Sequence, residues 1–494
     1  MKRWKNLGLL VFFLVFLIVA TILTRNISVE PELTEAEEKS VELAIDSSAL
    51  TSLSWNYDGE EIALRKDTNG WVYADDAKFP LNTVKADSLA SALASVKAEK
   101  VIESPDELSQ YGLDAPVCSI TANTGNDITL MVGSQTSMDG YRYLSNGDGN
   151  VYLVSSDLLT NFSCGLYDLV LKETIPSMKN LLSMSVSSEV QDYEIDHIEA
   201  SGIAYTDEYE WFLKGKDGWL TLDNSLASGF ANKIRNLNWQ TCVDYHADES
   251  DLSSYGLASP SAVVEMRYLQ SSEIETNLTT DDGEPIYETV KEEKTFTLEL
   301  GSYTDSSCYA RIAGSPMIYC VDASVLDDLL YMDYEDLRPD DIIVLDLTEL
   351  LGVDISLDGL SYLFEKISTA ETVDEETSVE TVWLLSDREA DIESVLRKLM
   401  NLTATGFADN EQPKRTAEIS FVFERKNTLH PVTELVIYPY DSTYSLVTLN
   451  GESTVFISRY DADAIKAELE EMVAANDSTS EEGSSVSGNE SVSG

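Results

Sequence analysis

From about residue 50 onward the apolar positions follow two rhythms. Short runs with a period of two, such as Ile128-Thr129-Leu130-Met131-Val132 and Phe296-Thr297-Leu298-Glu299-Leu300, fit half-buried strands. Leu89, Leu93 and Val96, and later Leu226, Phe230, Ile234 and Leu237, recur at steps of three and four and fit one face of a helix. Turn dipeptides punctuate the strands: Asp58-Gly59, Asn69-Gly70, Asp217-Gly218 and Asn450-Gly451 are hairpin sequences, because these residues tolerate positive φ. The order is a Trp-bearing hairpin (Trp55 and Trp71, then Trp211 and Trp219), a helix, a β meander and a closing helix.

That order recurs with a sequence signature. Leu108-Ser109-Gln110-Tyr111-Gly112-Leu113-Asp114-Ala115-Pro116 returns as Leu252-Ser253-Ser254-Tyr255-Gly256-Leu257-Ala258-Ser259-Pro260, an offset of 144 residues. Gly112 and Gly256 suit a positive φ, and Pro116 and Pro260 stiffen the chain ahead of the next strand. The closing helices begin near Ser156 and Asp322 and carry Leu158, Leu159 and Phe162, or Val325, Leu326 and Leu329. A third, degenerate copy has Ile392, Val395, Leu396 and Leu399 on a helix and a strand from Ile419 to Phe423. A hairpin over Asn450-Gly451 and a last helix with Ile465, Leu469 and Met472 complete it. It lacks the signature, with Gly406-Phe407 as the nearest remnant. The expected division is 49–175, 176–338 with a polar insertion at 270–293 that reads as an exposed hairpin or loop, and 339–475; residues 476–494 are Ser-, Gly- and Glu-rich and read as disordered.

The N-terminus follows neither rhythm. Lys2, Arg3 and Lys5 precede an uncharged run from Leu7 to Leu23, at the short edge of bilayer-spanning length. The charge bias predicts residues 1–6 in the cytoplasm, a transmembrane anchor over 7–25 and an acidic linker over 26–48. A cleaved signal peptide is the alternative, with a poor cleavage site at Ala20-Thr21-Ile22. The expected fold class is therefore α+β, tandem antiparallel β meanders with packed helices after one N-terminal transmembrane helix. The expected location is the cell membrane, single-pass, with the bulk of the chain extracellular.

Charge changes the list of partners. A formal net charge of −55 repels nucleic acid and anionic headgroups, and no basic patch offsets it. With 43% hydrophobic residues the chain can still build cores, so the acid is a solvated coat. Five cysteines form no disulfide framework; Cys308 and Cys320 flank a strand–turn–strand stretch and are a possible pair, while Cys118, Cys164 and Cys242 read as buried. Three scattered histidines, His197, His246 and His430, give no zinc pattern. Asp148-Gly149-Asn150 and Asp281-Asp282-Gly283 read as turns, since neither continues into a calcium loop. There is no phosphate-binding loop, dinucleotide fingerprint or nucleophile elbow. No catalytic residues, metal ligands or cofactors are therefore expected.

The N-terminal run, the Trp hairpin, the Leu-Ser-x-Tyr-Gly-Leu-x-x-Pro signature, Gly133 and Tyr141, and Val151-Tyr152-Leu153-Val154 together resemble the bacterial family of unknown function DUF4340. The likeness covers roughly 50–173 and 198–336, with a weaker echo to about 474. The resemblance implies a membrane-anchored protein and hints at companions of ABC-transporter permeases and of gliding-motility auxiliary proteins. It carries no catalytic residue onto this chain.

Three functions compete. The first is a non-enzymatic, membrane-anchored extracytoplasmic scaffold serving an integral-membrane transport partner. The second is a cell-wall glycan or polymer recognition module, with Trp55, Trp71, Trp211 and Trp219 as exposed aromatics. The third is a glycan hydrolase with two carboxylates about 5–10 Å apart. For the signature residues Tyr111, Gly112, Leu113, Pro116, Tyr255, Gly256, Leu257 and Pro260 the expectation is a structural role.

Overall fold

Asp58 and Gly59 take φ of 52° and 80° and join the paired residues Tyr57 and Glu60 in a two-residue turn; Asn450 and Gly451, at 50° and 87°, do the same between Leu449 and Glu452. At Asn69-Gly70 the turn sits one residue earlier than the dipeptide suggests, because Gly70 already pairs with Asp67. The computed structural model describes residues 41–484, apart from 137–139, 156, 281–283, 305, 374–375 and 410.

The fold is α+β, and among the described residues three antiparallel sheets share the order of eight strands, with Val41–Glu42 added at one edge of the first sheet and Trp219–Thr221 or Arg388–Glu389 at the opposite edge of the other two. The first sheet runs Val41–Glu42, Lys97–Ile102, Val151–Val154, Arg142–Ser145, Asp127–Gln135, Cys118–Asn123, Ser52–Tyr57, Glu60–Asp67, Gly70–Tyr73. The second runs Thr241–Asp244, Ile318–Asp322, Ser307–Ile312, Pro285–Tyr303, Ala262–Thr279, Asn180–Ser188, Asp192–His197, Trp211–Lys214, Trp219–Thr221. The third runs Gly406–Phe407, Glu452–Ser458, Tyr444–Leu449, Val432–Pro439, Ile419–Arg425, Leu350–Leu357, Leu360–Val373, Glu376–Leu385, Arg388–Glu389. Gly406–Phe407 thus corresponds in strand order to Lys97–Ile102 and Thr241–Asp244, ahead of where the signature stands in the other two sheets, and is no remnant of it.

Six described helices accompany the sheets: α1 (Thr83–Ala94), α2 (Leu159–Phe162), α3 (Asn224–Arg235), α4 (Ala323–Leu330), α5 (Ile392–Met400) and α6 (Arg459–Ser484). Asn82, Asp223, Asp322 and Asp391 cap α1, α3, α4 and α5, each accepting a first-turn N–H with its side chain. The third core shows how period becomes packing. Ile392, Val395, Leu396 and Leu399 of α5 and Ile465 and Leu469 of α6 meet Phe421, Phe423, Ile437 and Ile457 of the sheet, all buried.

By compactness the chain forms two units, one of Met1–Thr174, Asn238–Ala258 and Ser307–Val321, the other of Ile175–Leu237, Ser259–Ser306 and Asp322–Gly494. A clasp accounts for the composition of the first unit. Trp239 stacks on Tyr319 with centroids 4.3 Å apart and planes at 20°. Its Nε1–H donates to the Glu173 carbonyl at 2.9 Å. Lys172 Nζ donates to the carbonyls of Trp239 and Gln240, both at 2.7 Å, and Glu173 Oε2 accepts from Ser315 Oγ at 2.9 Å.

Among the described residues no helix is long and apolar enough to cross a membrane. That finding corrects the anchored architecture as far as the described residues reach. The transmembrane helix in the fold class, the single-pass location, the partner reached through such a helix and the membrane-bound accessory role are withdrawn. The longest described helix, α6, has 26 residues, enough length to span a bilayer, but Asp461, Asp463, Lys466, Glu468, Glu470 and Glu471 crowd its first half. The expected segments 1–6 and 7–25, residues 26–40 of the linker and residues 485–494 lie outside the described residues, as does the Asp281-Asp282-Gly283 turn. Helix α6 itself continues past Asn476, whose side chain donates to the Leu385 carbonyl at 2.9 Å, as far as Ser484.

Candidate functional site

The signature residues form packing clusters. Gly112 and Gly256 end short 3-10 turns with φ of 68° and 73°. Tyr111 meets Tyr143 edge-on at 4.9 Å, and Tyr255 meets Tyr309 in the same way at 5.1 Å. Leu113 packs with Val151, and Leu257 with Ile318. Half-buried Pro116 and Pro260 precede the residues that start the next strands, Val117 N–H bonding to the Val132 carbonyl and Ser261 N–H to that of Leu300, each at 2.8 Å.

Trp55, Trp71 and Trp211 are buried, and Trp219 is half-buried. Trp55 Nε1–H donates to the Cys164 carbonyl at 3.2 Å and Trp71 Nε1–H to Asp87 at 3.0 Å. The structure therefore corrects the expectation of exposed binding aromatics for these three. They clamp hairpins onto their sheets and offer no platform for a glycan. None of the cysteines is disulfide-bonded, so Cys308 and Cys320 do not pair covalently. Burial pushes the Cys118, Cys164 and Cys242 thiols up to about 11, which leaves them protonated at neutral pH and poor nucleophiles. Asp148 accepts the Asn150 N–H at 2.9 Å inside its own turn, and the described residues hold no metal-binding cluster of His, Cys, Asp and Glu.

The candidate site lies in the second unit, between α3, α4 and the segment after α4. Asp223 N–H donates to the Leu337 carbonyl at 2.8 Å, and the Tyr334 hydroxyl donates to the Thr221 carbonyl at 3.3 Å, so the segment is tied back across the start of α3. A cleft of about 450 Å³ opens there. Leu226, Phe230, Tyr331, Met332 and Leu337 supply its apolar lining. Lys233, Asp328, Asp333 and Asp336 supply the charges. Lys233 is ion-paired with Asp328 and lies 5.5 Å from the centre of the Phe230 ring. Asp333 accepts the Glu335 N–H at 3.1 Å. Leu226 is 48% exposed and Tyr331 65%, so a leucine and a tyrosine stand at the mouth. Gly229, in the middle of α3, has open space where a side chain would project.

Sequence periodicity misplaced this site. Leu226 shares the three-and-four ladder of Phe230 and Ile234, yet the buried face of α3 is Ala227, Phe230, Ala231 and Ile234. A usable signal was Gly229 within an otherwise good helix sequence, a residue that weakens helix and clears space above its surface. Tyr331-Met332, apolar residues just beyond the end of α4, were another.

A second polar group in the same unit is structural. The Tyr205 hydroxyl accepts the Val344 N–H at 2.8 Å, the Tyr209 hydroxyl donates to Asp341 at 3.3 Å, and buried Arg425 donates to the Tyr205 carbonyl at 2.9 Å and to the Thr433 hydroxyl. His430 and Asp207 approach at 3.5 Å. Burial pushes the Tyr205 hydroxyl up to about 12 and raises Asp341 above its usual 3.8. An acid with a raised folded pKa penalises the native state in full above that pKa and not at all below the unfolded value. Asp341→Asn keeps the acceptor for Tyr209 and removes the charge. It is expected to raise Tm at neutral pH, with the gain fading as pH falls through the folded pKa and vanishing below about 3.8. A lower Tm at neutral pH would contradict this.

No curated protein and no solved structure matches the chain. One family model does, a domain of unknown function, over residues 71–260 and again over 211–418. Those matches together span well over half of the 494 residues, with the cleft inside the second of them, and the chain belongs to the DUF4340 family.

Proposed function

We propose that the chain is a binding module whose α3–α4 cleft takes a small amphipathic cation, an apolar body bearing an ammonium or guanidinium group. The supporting observation is the lining. Five apolar side chains surround three carboxylates, and the single cation, Lys233, is already matched by Asp328. An incoming positive charge gains from Asp333 and Asp336, while its apolar part covers Leu226 and Tyr331. In the same reading each nine-stranded sheet with its helices is one structural repeat, divided near 175 and 338, and the Tyr-Gly-Leu signature is architectural.

The test is isothermal titration of the full chain with phenethylammonium and with 3-phenylpropionate, which share the apolar part and differ in the sign of the charge. The ammonium is expected to bind at least about tenfold more tightly. Asp336→Asn should weaken it, and Gly229→Gln, which places a side chain over the opening, should abolish it while the chain stays folded. Equal binding of the two probes, or ammonium binding that survives Gly229→Gln, would remove the proposal.

A further inference from the structure

The second sheet carries a feature that the cleft does not use. Ala262–Thr279 pairs with Asn180–Ser188 only as far as Leu269, opposite Asn180. Beyond that point it continues with Pro285–Tyr303 alone, in register from Gln270 opposite Glu292 to Glu275 opposite Tyr287. Every residue from Gln270 to Glu275, and from Pro285 to Glu293, is exposed, whereas Phe296, Leu298 and Leu300 further down the same strand are buried. The ribbon is thus solvated on both faces.

Its composition does not suit a solvated spacer. Directly opposed residues share a face, so Val290 (opposite Ser272), Ile274 (opposite Glu288) and Ile286 lie on one side. They are 39%, 52% and 38% exposed. Around them, residues 270–293 hold eight carboxylates and one lysine. Carboxylates on an open strand are the ordinary guard against self-pairing, and that guard needs no apolar row beside it. A second copy of this chain would bring the same negative charge and be repelled. An extended segment with Lys or Arg alternating with apolar side chains meets complementary groups on both counts.

We propose that the ribbon at residues 270–293 is a docking arm that captures such a basic, extended polypeptide segment as an added strand along Gln270–Glu275. There the backbone has no other strand pairing among the described residues. The apolar row would cover the partner's apolar side chains and the flanking glutamates would pair its cations.

The experiment uses the full chain and labelled twelve-residue peptides, read by fluorescence anisotropy: alternating Lys-Val, alternating Glu-Val, and alternating Lys-Ser. Lys-Val is expected to bind at least about tenfold more tightly than either of the others. Replacing 270–292 by Asn-Gly joins the paired residues Leu269 and Glu293 through a two-residue turn and should abolish Lys-Val binding with the unfolding midpoint unchanged. Ile274→Thr combined with Val290→Thr should weaken it at least about fivefold while the ribbon persists. Lys-Ser binding as well as Lys-Val would show general attraction to an acidic chain and overturn the proposal, as would undiminished Lys-Val binding by the trimmed chain. Since the cleft is intact in the trimmed chain, phenethylammonium binding there separates failure of this proposal from failure of the cleft.

Discussion

Trp239→Ala is expected to destabilise the first unit by about 3–5 kcal/mol, the range for truncating a fully buried aromatic. Two losses coincide. The indole leaves a cavity against the Tyr319 ring, on which it stacks at 4.3 Å. The Glu173 carbonyl loses the Nε1–H donor it holds at 2.9 Å. The Lys172 ammonium keeps its partners, because the carbonyls of residues 239 and 240 that hold it belong to the backbone. Trp239→Phe keeps much of the stack and gives up only the hydrogen bond, so it should cost less than half as much. Urea unfolding followed by Tyr and Trp fluorescence would measure both. Equal midpoints for wild type and Trp239→Ala would mean that the clasp does not hold the unit together.

Gly133→Ala is expected to cost about 3 kcal/mol, the upper end of overpacking penalties. A Cβ at residue 133 would stand 2.3 Å from the Tyr111 carbonyl oxygen and 3.1 Å from two carbons of Leu113. The first neighbour is backbone and cannot rotate away, so the signature turn itself must shift. Gly112→Ala on the other side of the contact has a different mixture of causes. Its φ of 68° costs an alanine about 1–2 kcal/mol, and its Cβ would meet the Ser134 hydroxyl at 2.2 Å. Removing that hydroxyl with Ser134→Ala should recover part of the Gly112→Ala loss, whereas it should do nothing for Gly133→Ala. A double-mutant cycle measures the difference, and full additivity at 112 and 134 would count against the contact.

That contact explains why the repeat was legible in sequence. Tyr111-Gly112-Leu113 and Gly133-Ser134 are short-range, shape-determined neighbours, so residue identity is fixed where backbone meets backbone. Helix faces such as Ile392, Val395, Leu396 and Leu399 were legible for a simpler reason, since one buried stripe imposes one period. The exposure of residues 270–275 and 285–293 agrees with the polarity of that stretch. The cleft was not, because Leu226 obeys the same spacing as the buried Phe230 and only the position of residues 331–337, brought back by Leu337 and Tyr334, leaves it open. The Trp residues misled because aromatic type says nothing about which side of a hairpin the sheet lies on. The membrane reading drew on the local run from Leu7 to Leu23, while the described part of the chain offers α6, with the length to cross and the wrong polarity.

The common strand order also sets a timetable for folding. In the first sheet Lys97–Ile102 follows α1 directly in the chain, yet apart from the two-residue Val41–Glu42 its only ladder partner is Val151–Val154. Thr241–Asp244 waits in the same way for Ile318–Asp322, and Gly406–Phe407 for Glu452–Ser458. Each of these strands emerges from synthesis well before its partner exists. Closing such a long loop is entropically costly and slow compared with forming the hairpins, which need only their neighbours. Three times along the chain, then, one bare strand edge stands open to wrong pairing during translation, and the interval lengthens in the second sheet by the residues that build the ribbon.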